Sequence, residues 1–571
     1  MKPVVEFDIF YRKNKNDELF RILEKPDMLN IEKPQNYIPL YNLFFSLNEQ
    51  NWNNINLNHK WAIKTLNKKI NDNLFEAEIF DTSNNINKAK IFFKFGPLLD
   101  PLKYLVGKYD KINIFELPKI SNLDMCNDKV TDPNNSSYVD GFFTYLTSNL
   151  LHQHNFIHGL DYYGGFIALK NDFKFDVADE LDYIDKSNYF HKNEGVLFNI
   201  DNDYQNELMN LDSRNYKKRL NISEKTHESI DSISNVNFEG LFTSNDDTNI
   251  TDTTLYDTSL NIIFNDSAVL TKPNKSSSSS GSTCSSREVS DNDEDSINSD
   301  EDSDSDEEYS ETSTATDDII NASIAKFPVN IICLEACENT LDKLMINDEL
   351  TNTEWASAFM QIIMSLNTYQ KVFNMTHNDL HTNNVMYIPT EKQFITYCYN
   401  NKYYKVPTHG KIYKIIDFGR AIYKFKGKTI CSDSFSKDGD ASTQYNFEPY
   451  FNEDKPRLEP NYSFDLCRLA CSMFDYFIED LEDMEKDKHD PINKLIIEWC
   501  QDDKGRNILY KNNGSERYPD FKLYKMIARN VHNHTPQAQL NRDIFDRYAI
   551  SKNKINKKTR IINIDKMPVY V

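Results

Sequence analysis

Hydrophobic and polar positions change rhythm several times along this chain, and the changes mark its elements. Val329-Asn330-Ile331-Ile332-Cys333-Leu334-Glu335 is an apolar, β-branched run bounded by Pro328 and a polar stretch, which predicts a buried strand. A helix is predicted to begin at Thr340-Leu341-Asp342-Lys343-Leu344. A longer amphipathic helix follows, with Thr353 as its N-cap and Trp355, Phe359, Ile362, Ile363, Leu366 and Tyr369 recurring at three- and four-residue spacing. Residues 394–406 read as two short strands joined by Asn400-Asn401, a pair suited to a tight hairpin turn. Cys467 and Cys471 lie in another apolar helical run, where buried packing is the expected role of both. From about Val196 to Ser323 the periodicity fails, and only islands such as residues 260–264 interrupt a polar stretch. That stretch reads as an insertion.

At 571 residues the chain exceeds one small domain. A mean hydropathy of −0.65 and the lack of any continuous apolar run near the ~20 residues of a membrane span predict a soluble protein with no membrane partner. The opening Met1-Lys2-Pro3-Val4-Val5-Glu6-Phe7-Asp8 lacks the pattern of a secretory signal, so an intracellular location is expected. Nine cysteines form no CxxC pair and have no His at ligand spacing, which argues against a disulfide framework or a zinc site. The net charge of −23 argues against nucleic acid as a partner. Fifteen acidic residues and no basic one lie in 288–318, preceded by the serine tract 276–282. Like charges repel there and nothing apolar offsets the ordering entropy, so disorder is expected. The run is either a solvated loop or a segment that recruits partners. Ser290, Ser299, Ser303 and Ser305 each have an acidic residue three positions on, which suits phosphorylation by an acidophilic kinase. Lys552, Lys554, Lys557, Lys558 and Arg560 make the end of the chain basic, predicting a surface strand or extension.

The chemistry is concentrated in two motifs. Thr376-His377-Asn378-Asp379-Leu380-His381-Thr382-Asn383-Asn384 runs into the apolar Val385-Met386-Tyr387-Ile388, and Lys414-Ile415-Ile416-Asp417-Phe418-Gly419 follows. His-x-Asp with Asn five positions later, then a strand and Asp-Phe-Gly, resembles the protein kinase-like superfamily. The resemblance implies an α+β, bilobal kinase-like fold. A small β-rich lobe would span 50–195 and the last strand 324–335, interrupted by the largely disordered insertion 196–323. A mainly helical lobe would span 336–545, with 1–49 as an accessory segment and 546–571 as the basic tail.

It also implies roles. Asp379 would orient an acceptor hydroxyl and take its proton, and Asn384 and Asp417 would hold Mg2+ against the phosphates of ATP. His377 is implied to be a packing residue, and Asp465 to support the loop from below; capping its own helix is the rival role. Lys90-Ile91-Phe92-Phe93-Lys94-Phe95-Gly96 is similar to the family's third strand, with Lys94 as the phosphate lysine. Glu335 and Cys337 are implied to border the nucleotide at the hinge. A helix from Tyr138 to Leu151 resembles helix C but contains no Glu. Asp140 is the nearest acid for Lys94, one methylene short and a turn early.

The chain departs from the family in several places. Residues 1–95 contain no glycine, and the place of the glycine-rich loop, about Asn67 to Leu74, offers Asn and Lys. Asn71 and Asn73 suit left-handed turns, and Lys68 or Lys69 suits phosphate contact. Asn378 stands for the usual Arg, so the pocket that reads a phosphorylated activation segment is expected to be absent. The stretch from Gly419 to Tyr450 corresponds to that segment. His381 stands where Ser/Thr kinases carry Lys. The asparagine-rich composition and these departures resemble kinases encoded by giant DNA viruses, which implies a host cytoplasm or virion. Three functions follow: ATP- and Mg2+-dependent phosphorylation of protein Ser/Thr hydroxyls, a pseudokinase binding module, or a small-molecule kinase of the aminoglycoside phosphotransferase-like type.

Overall fold

The computed structural model describes residues 7–109, 111–201, 320–347, 350–478, 480–481 and 484–571. The acidic run, the serine tract and the island at 260–264 lie outside the described residues. Helix and sheet are mixed throughout, an α+β arrangement.

The principal sheet is built from β1 (Ile31–Gln35), β2 (Ala62–Lys69), β3 (Leu74–Phe80), β4 (Ile86–Pro97), β5 (Tyr162–Asp176), β6 (Phe198–Ile200) and β7 (Asn321–Glu335). Their order is β1-β5-β7-β4-β3-β2, with β6 also paired to β7, and every pairing is antiparallel. β7 is central and buried from Phe327 to Leu334, as its uninterrupted apolar run requires. It begins at Asn321, and β6 pairs Phe198–Ile200 with Ala322–Ile324, so both edges of the expected insertion belong to the sheet. Residues 1–49 are likewise partly structural: β1 extends this sheet, and Phe44 stacks on Phe142 at 5.1 Å.

Helix α1 (Ser136–His154) packs on the sheet. Asn135 caps it by accepting from Ser137 N, and Asn330 of β7 donates to Ser137 O at 2.8 Å. Gly96 allows this approach, since a Cβ there would lie 2.1 Å from Ser137 Oγ.

Beyond β7 come β8 (Asn339–Thr340), α2 (Leu341–Asn347) and α3 (Asn352–Phe373). The N-cap of α3 is Thr351, two residues before the expected Thr353, because Thr351 and Glu354 form a reciprocal capping box. Then follow β9 (Val385–Pro389), β10 (Phe394–Tyr399), β11 (Lys402–Pro407), β12 (Lys411–Ile415), β13 (Ile422–Phe425), β14 (Lys428–Cys431), α4 (Phe464–Cys471), α5 (Pro491–Trp499) and α6 (Lys522–Asn530). β9 pairs with β12 and β8, and β10 with β11 across Asn400 and Asn401, both left-handed at φ 50 and 61. The stretch after Gly419 begins with a hairpin, β13 pairing with β14.

Lys552, Lys554, Lys557, Lys558 and Arg560 are exposed, as expected, between two short strands that join the fold. β15 (Ala549–Ile550) and β16 (Ile561–Asn563) add to the β10–β11 hairpin, β16 in parallel with Thr396–Cys398. Tyr570 is buried against Phe7, Phe373 and Phe425.

Candidate functional site

The two motifs meet through His377 and Ile416, and Lys94 of the principal sheet reaches Asp417 of the second motif. Asn374, left-handed at φ 51, ends α3. Reciprocal backbone bonds between Thr376 and Ile422 then fasten the following loop to β13. Asp465, fully buried in the first turn of α4, accepts from the N–H groups of His377 (3.0 Å) and Asn378 (2.9 Å). Both oxygens are therefore engaged with the loop, and the side chain makes no cap bond to its own helix. His377 donates from Nε2 to Ile416 O at 2.9 Å, and its ring lies 5.5 Å from that of Phe418. It ties the two motifs together and is buried.

Alternation along β4 places Ile91 and Phe93 in the core and Lys94 on the opposite face. Lys94 Nζ reaches Asp140 Oδ2 at 2.7 Å and Asp417 Oδ1 at 2.8 Å. Burial opposes the charge, but the two carboxylates hold the Lys94 ammonium above the usual lysine range. Asp140 Oδ1 accepts from Phe418 N at 2.9 Å, so one short acid on α1 joins the lysine to the Asp-Phe-Gly backbone. Asp417 is left-handed at φ 62, and its side chain remains 41% exposed.

Asp379 is 5% exposed. Its Oδ1 accepts from the Tyr524 hydroxyl at 2.8 Å and lies 3.8 Å from Arg420 Nη1. The guanidiniums of Arg420 and Arg468 flank the Tyr524 ring, 5.4 and 5.0 Å from its centroid, and Arg420 also pairs with Asp440. Burial works against ionisation, yet Arg420, Arg468 and the Tyr524 hydroxyl hold the Asp379 carboxyl well below the usual carboxylate range. Burial pushes His381 down to about 4, so its ring is neutral at pH 7. Asn384 Nδ2 donates to Asp379 O at 2.9 Å and lies 3.0 Å from His381 Nε2. His381 thus orients Asn384, and the positive charge beside Asp379 comes from arginines that the sequence analysis did not single out. Arg420 directly follows Gly419 and Arg468 lies three positions beyond Asp465, which is the signal available for them. Nothing local marks Tyr524, on α6.

Glu335 and Cys337 are not drawn into this cluster. The Glu335 carboxylate pairs with the buried Lys414 and accepts from Asp161 N at 2.8 Å, while Cys337 is half-buried past the end of β7. Asn378 Oδ1 accepts from the Tyr445 hydroxyl at 2.8 Å and its amide donates to Arg420 O at 3.0 Å, so Asn378 is held by neutral bonds. The turn between β2 and β3 is closed by Asn71, whose Oδ1 accepts from the N–H of Asn73 and Leu74. Neither Asn71 nor Asn73 is left-handed, contrary to expectation, because this side-chain bond closes the turn. Lys69 pairs with Asp72 at 2.7 Å.

No protein-family model matches the chain. It is similar to a protein of Invertebrate iridescent virus 3 named "Probable kinase 098L", with 28% identity over 110 residues. The match covers 19% of this chain and 21% of that protein, so it spans about a fifth of the relative's length. This is a distant kinase-like relationship over a small part of both chains. Among the described residues, no helix is long and apolar enough to cross a membrane.

Proposed function

We propose that this chain transfers the γ-phosphoryl group of ATP, with Mg2+, to Ser or Thr hydroxyls of proteins, on a bilobal kinase-like scaffold. The observation that carries this reading is the convergence of Lys94, Asp140 and Asp417 into one ion cluster beside the loop that bears Asp379 and Asn384.

The residues suit the absent groups. Asp417 offers a partly exposed hard oxygen, and the Asn384 amide nitrogen is engaged with its own loop. Two such side chains are a normal protein share of a Mg2+ site, whose remaining ligands are phosphates and water. The bound metal would neutralise charge on the phosphates. Lys94 would bind phosphate while Asp140 fixes its position. Asp379, anionic and rigidly held, would orient the acceptor hydroxyl and receive its proton at Oδ1. Asp465 and His377 hold the loop in the conformation this needs.

The test is transfer of labelled phosphate from ATP to a mixed protein acceptor such as casein, with the chain and its Asp379→Asn form side by side. Transfer that needs Asp379 supports the reading; equal transfer by both forms refutes it. The pseudokinase reading is favoured by the closed, glycine-free Asn71 turn, which gives phosphates fewer free backbone N–H groups. Nucleotide binding without transfer would establish it instead.

A further inference from the structure

The carboxylate proposed to receive the acceptor's proton already holds a hydroxyl. Tyr524 donates to Asp379 Oδ1 at 2.8 Å, the relation an acceptor alcohol must adopt before transfer. The phenol is built into place. Its ring stacks on Phe521 at 5.3 Å and 15°, lies 6.1 Å from Phe464 at the start of α4, and is flanked by Arg420 and Arg468. With this phenol seated Asp379 is 5% exposed, so an outside acceptor must displace it.

We propose that Tyr524 is a built-in phosphoryl acceptor, and that its phosphorylation in cis frees Asp379 for protein substrates. This rests on the phosphotransferase reading above. In the step, a bond forms between Tyr524 Oη and the γ-phosphorus of ATP. The bond from that phosphorus to the β,γ-bridging oxygen breaks, its electron pair leaves with ADP, and the phenolic proton passes to Asp379 Oδ1. The product is a phosphate of about −1.5 to −2 charge. It is repelled by Asp379 and has two guanidiniums at hand, Arg420 and Arg468, the groups that pair best with phosphate. Both guanidiniums lie within 5.4 Å of the Tyr524 ring centroid, close enough to meet a phosphate formed on its hydroxyl.

The test uses the full chain incubated with γ-labelled ATP and Mg2+, followed by peptide mapping. The expected result is phosphate on Tyr524, with a first-order rate independent of protein concentration, and none in Asp379→Asn or at that position in Tyr524→Phe. A second readout needs no turnover. In the phosphorylated chain, repurified free of nucleotide, amide exchange across Lys522–Asn530 is expected to quicken as the phenol leaves Asp379.

Label on casein with none on Tyr524 overturns the inference and leaves the phosphotransferase reading intact. A rate that rises with protein concentration also overturns it, since the transfer is then between molecules. Phosphate on Tyr524 with unchanged exchange overturns the release of Asp379. No label on any acceptor removes the phosphotransferase reading, and this inference with it.

Discussion

Asp140 holds two partners at once, and replacing it separates their contributions. It is 4% exposed, with Lys94 on Oδ2 at 2.7 Å and Phe418 N on Oδ1 at 2.9 Å. Alanine removes both acceptors. Losing one partner of a buried ion pair costs about 3–5 kcal/mol, and an unpaired buried N–H about 1–3 kcal/mol. Lys94 keeps Asp417 at 2.8 Å and its side chain is 28% exposed, which puts the first figure at its lower end. Asp140→Ala is therefore expected to lose about 4–6 kcal/mol. Asp140→Asn keeps an acceptor for Phe418 N but turns an NH2 donor towards Lys94, so it loses the ion pair alone, about 3 kcal/mol. Asp140→Glu adds a methylene where the carboxylate already touches both partners, and overpacking costs about 1–3 kcal/mol. Urea unfolding at pH 7, followed by tryptophan fluorescence, measures all three. Equal losses for Ala and Asn would show that the Phe418 bond contributes nothing. A Glu variant more stable than the parent would show that the acid is too short after all, and the geometric argument would fail.

Asp465→Ala leaves the N–H groups of His377 and Asn378 unpaired in the core and is expected to cost about 2–5 kcal/mol in urea unfolding; a loss under about 1 kcal/mol would return Asp465 to an ordinary helix-start residue. His59, His158 and His381 are buried and depressed to about 4 from 6.5, so each binds fewer protons folded than unfolded. Their stabilisation is complete above pH 6.5 and is lost as pH falls towards 4, by at most about 3 kcal/mol each. His158 bonds Tyr413 O and Tyr397 Oη, so His158→Gln is expected to shallow the fall of melting temperature between pH 7 and 5; an unchanged slope would contradict this. ATP is expected to raise the melting temperature only with Mg2+ present, and an equal shift in excess chelator would refute metal binding at Asp417 and Asn384.

What the sequence revealed was local. The strand at 329–335, the 394–406 hairpin and the loop motifs each depend on residues a few positions apart, and Asp379, Asn384 and Asp417 stand at such spacings. The capping box Thr351-x-x-Glu354 is equally local, and it prevails over Thr353 because its two side chains each bond the other's backbone N–H. Asp140 looked too short and too early because its partner distance depends on how closely α1 approaches β4. That approach is set by Gly96 against Ser137, a contact between residues 41 apart. The same reason hid Tyr524, which reaches Asp379 across 145 positions, and Lys414, which takes Glu335 into a pair between strands of different sheets. Tyr570 was hidden likewise: a basic stretch before it reads as solvent-facing, while the burial is carried by the few apolar residues at 562–570.

The charges in the site also account for its departures. Lys94, Arg420 and Arg468 stand among Asp140, Asp379, Asp417 and Asp440, so the acids outnumber the cations by one. A triphosphate entering this cluster meets no net attraction from the side chains, and the closed Asn71 turn gives it few backbone donors. A divalent cation beside Asp417 would reverse that balance, and among these partly buried side chains the reversal would have a greater effect than in water. The arginines lie beside Asp379, Asp440 and the Tyr524 ring, not in the ion cluster of Lys94, Asp140 and Asp417. On the proposed reading the site would divide its cations by task, with Lys94 towards the phosphates and the arginines towards Asp379 and the proposed acceptor hydroxyl. In this division a neutral His381 is sufficient, because the charge that a lysine would bring to Asp379 is already supplied.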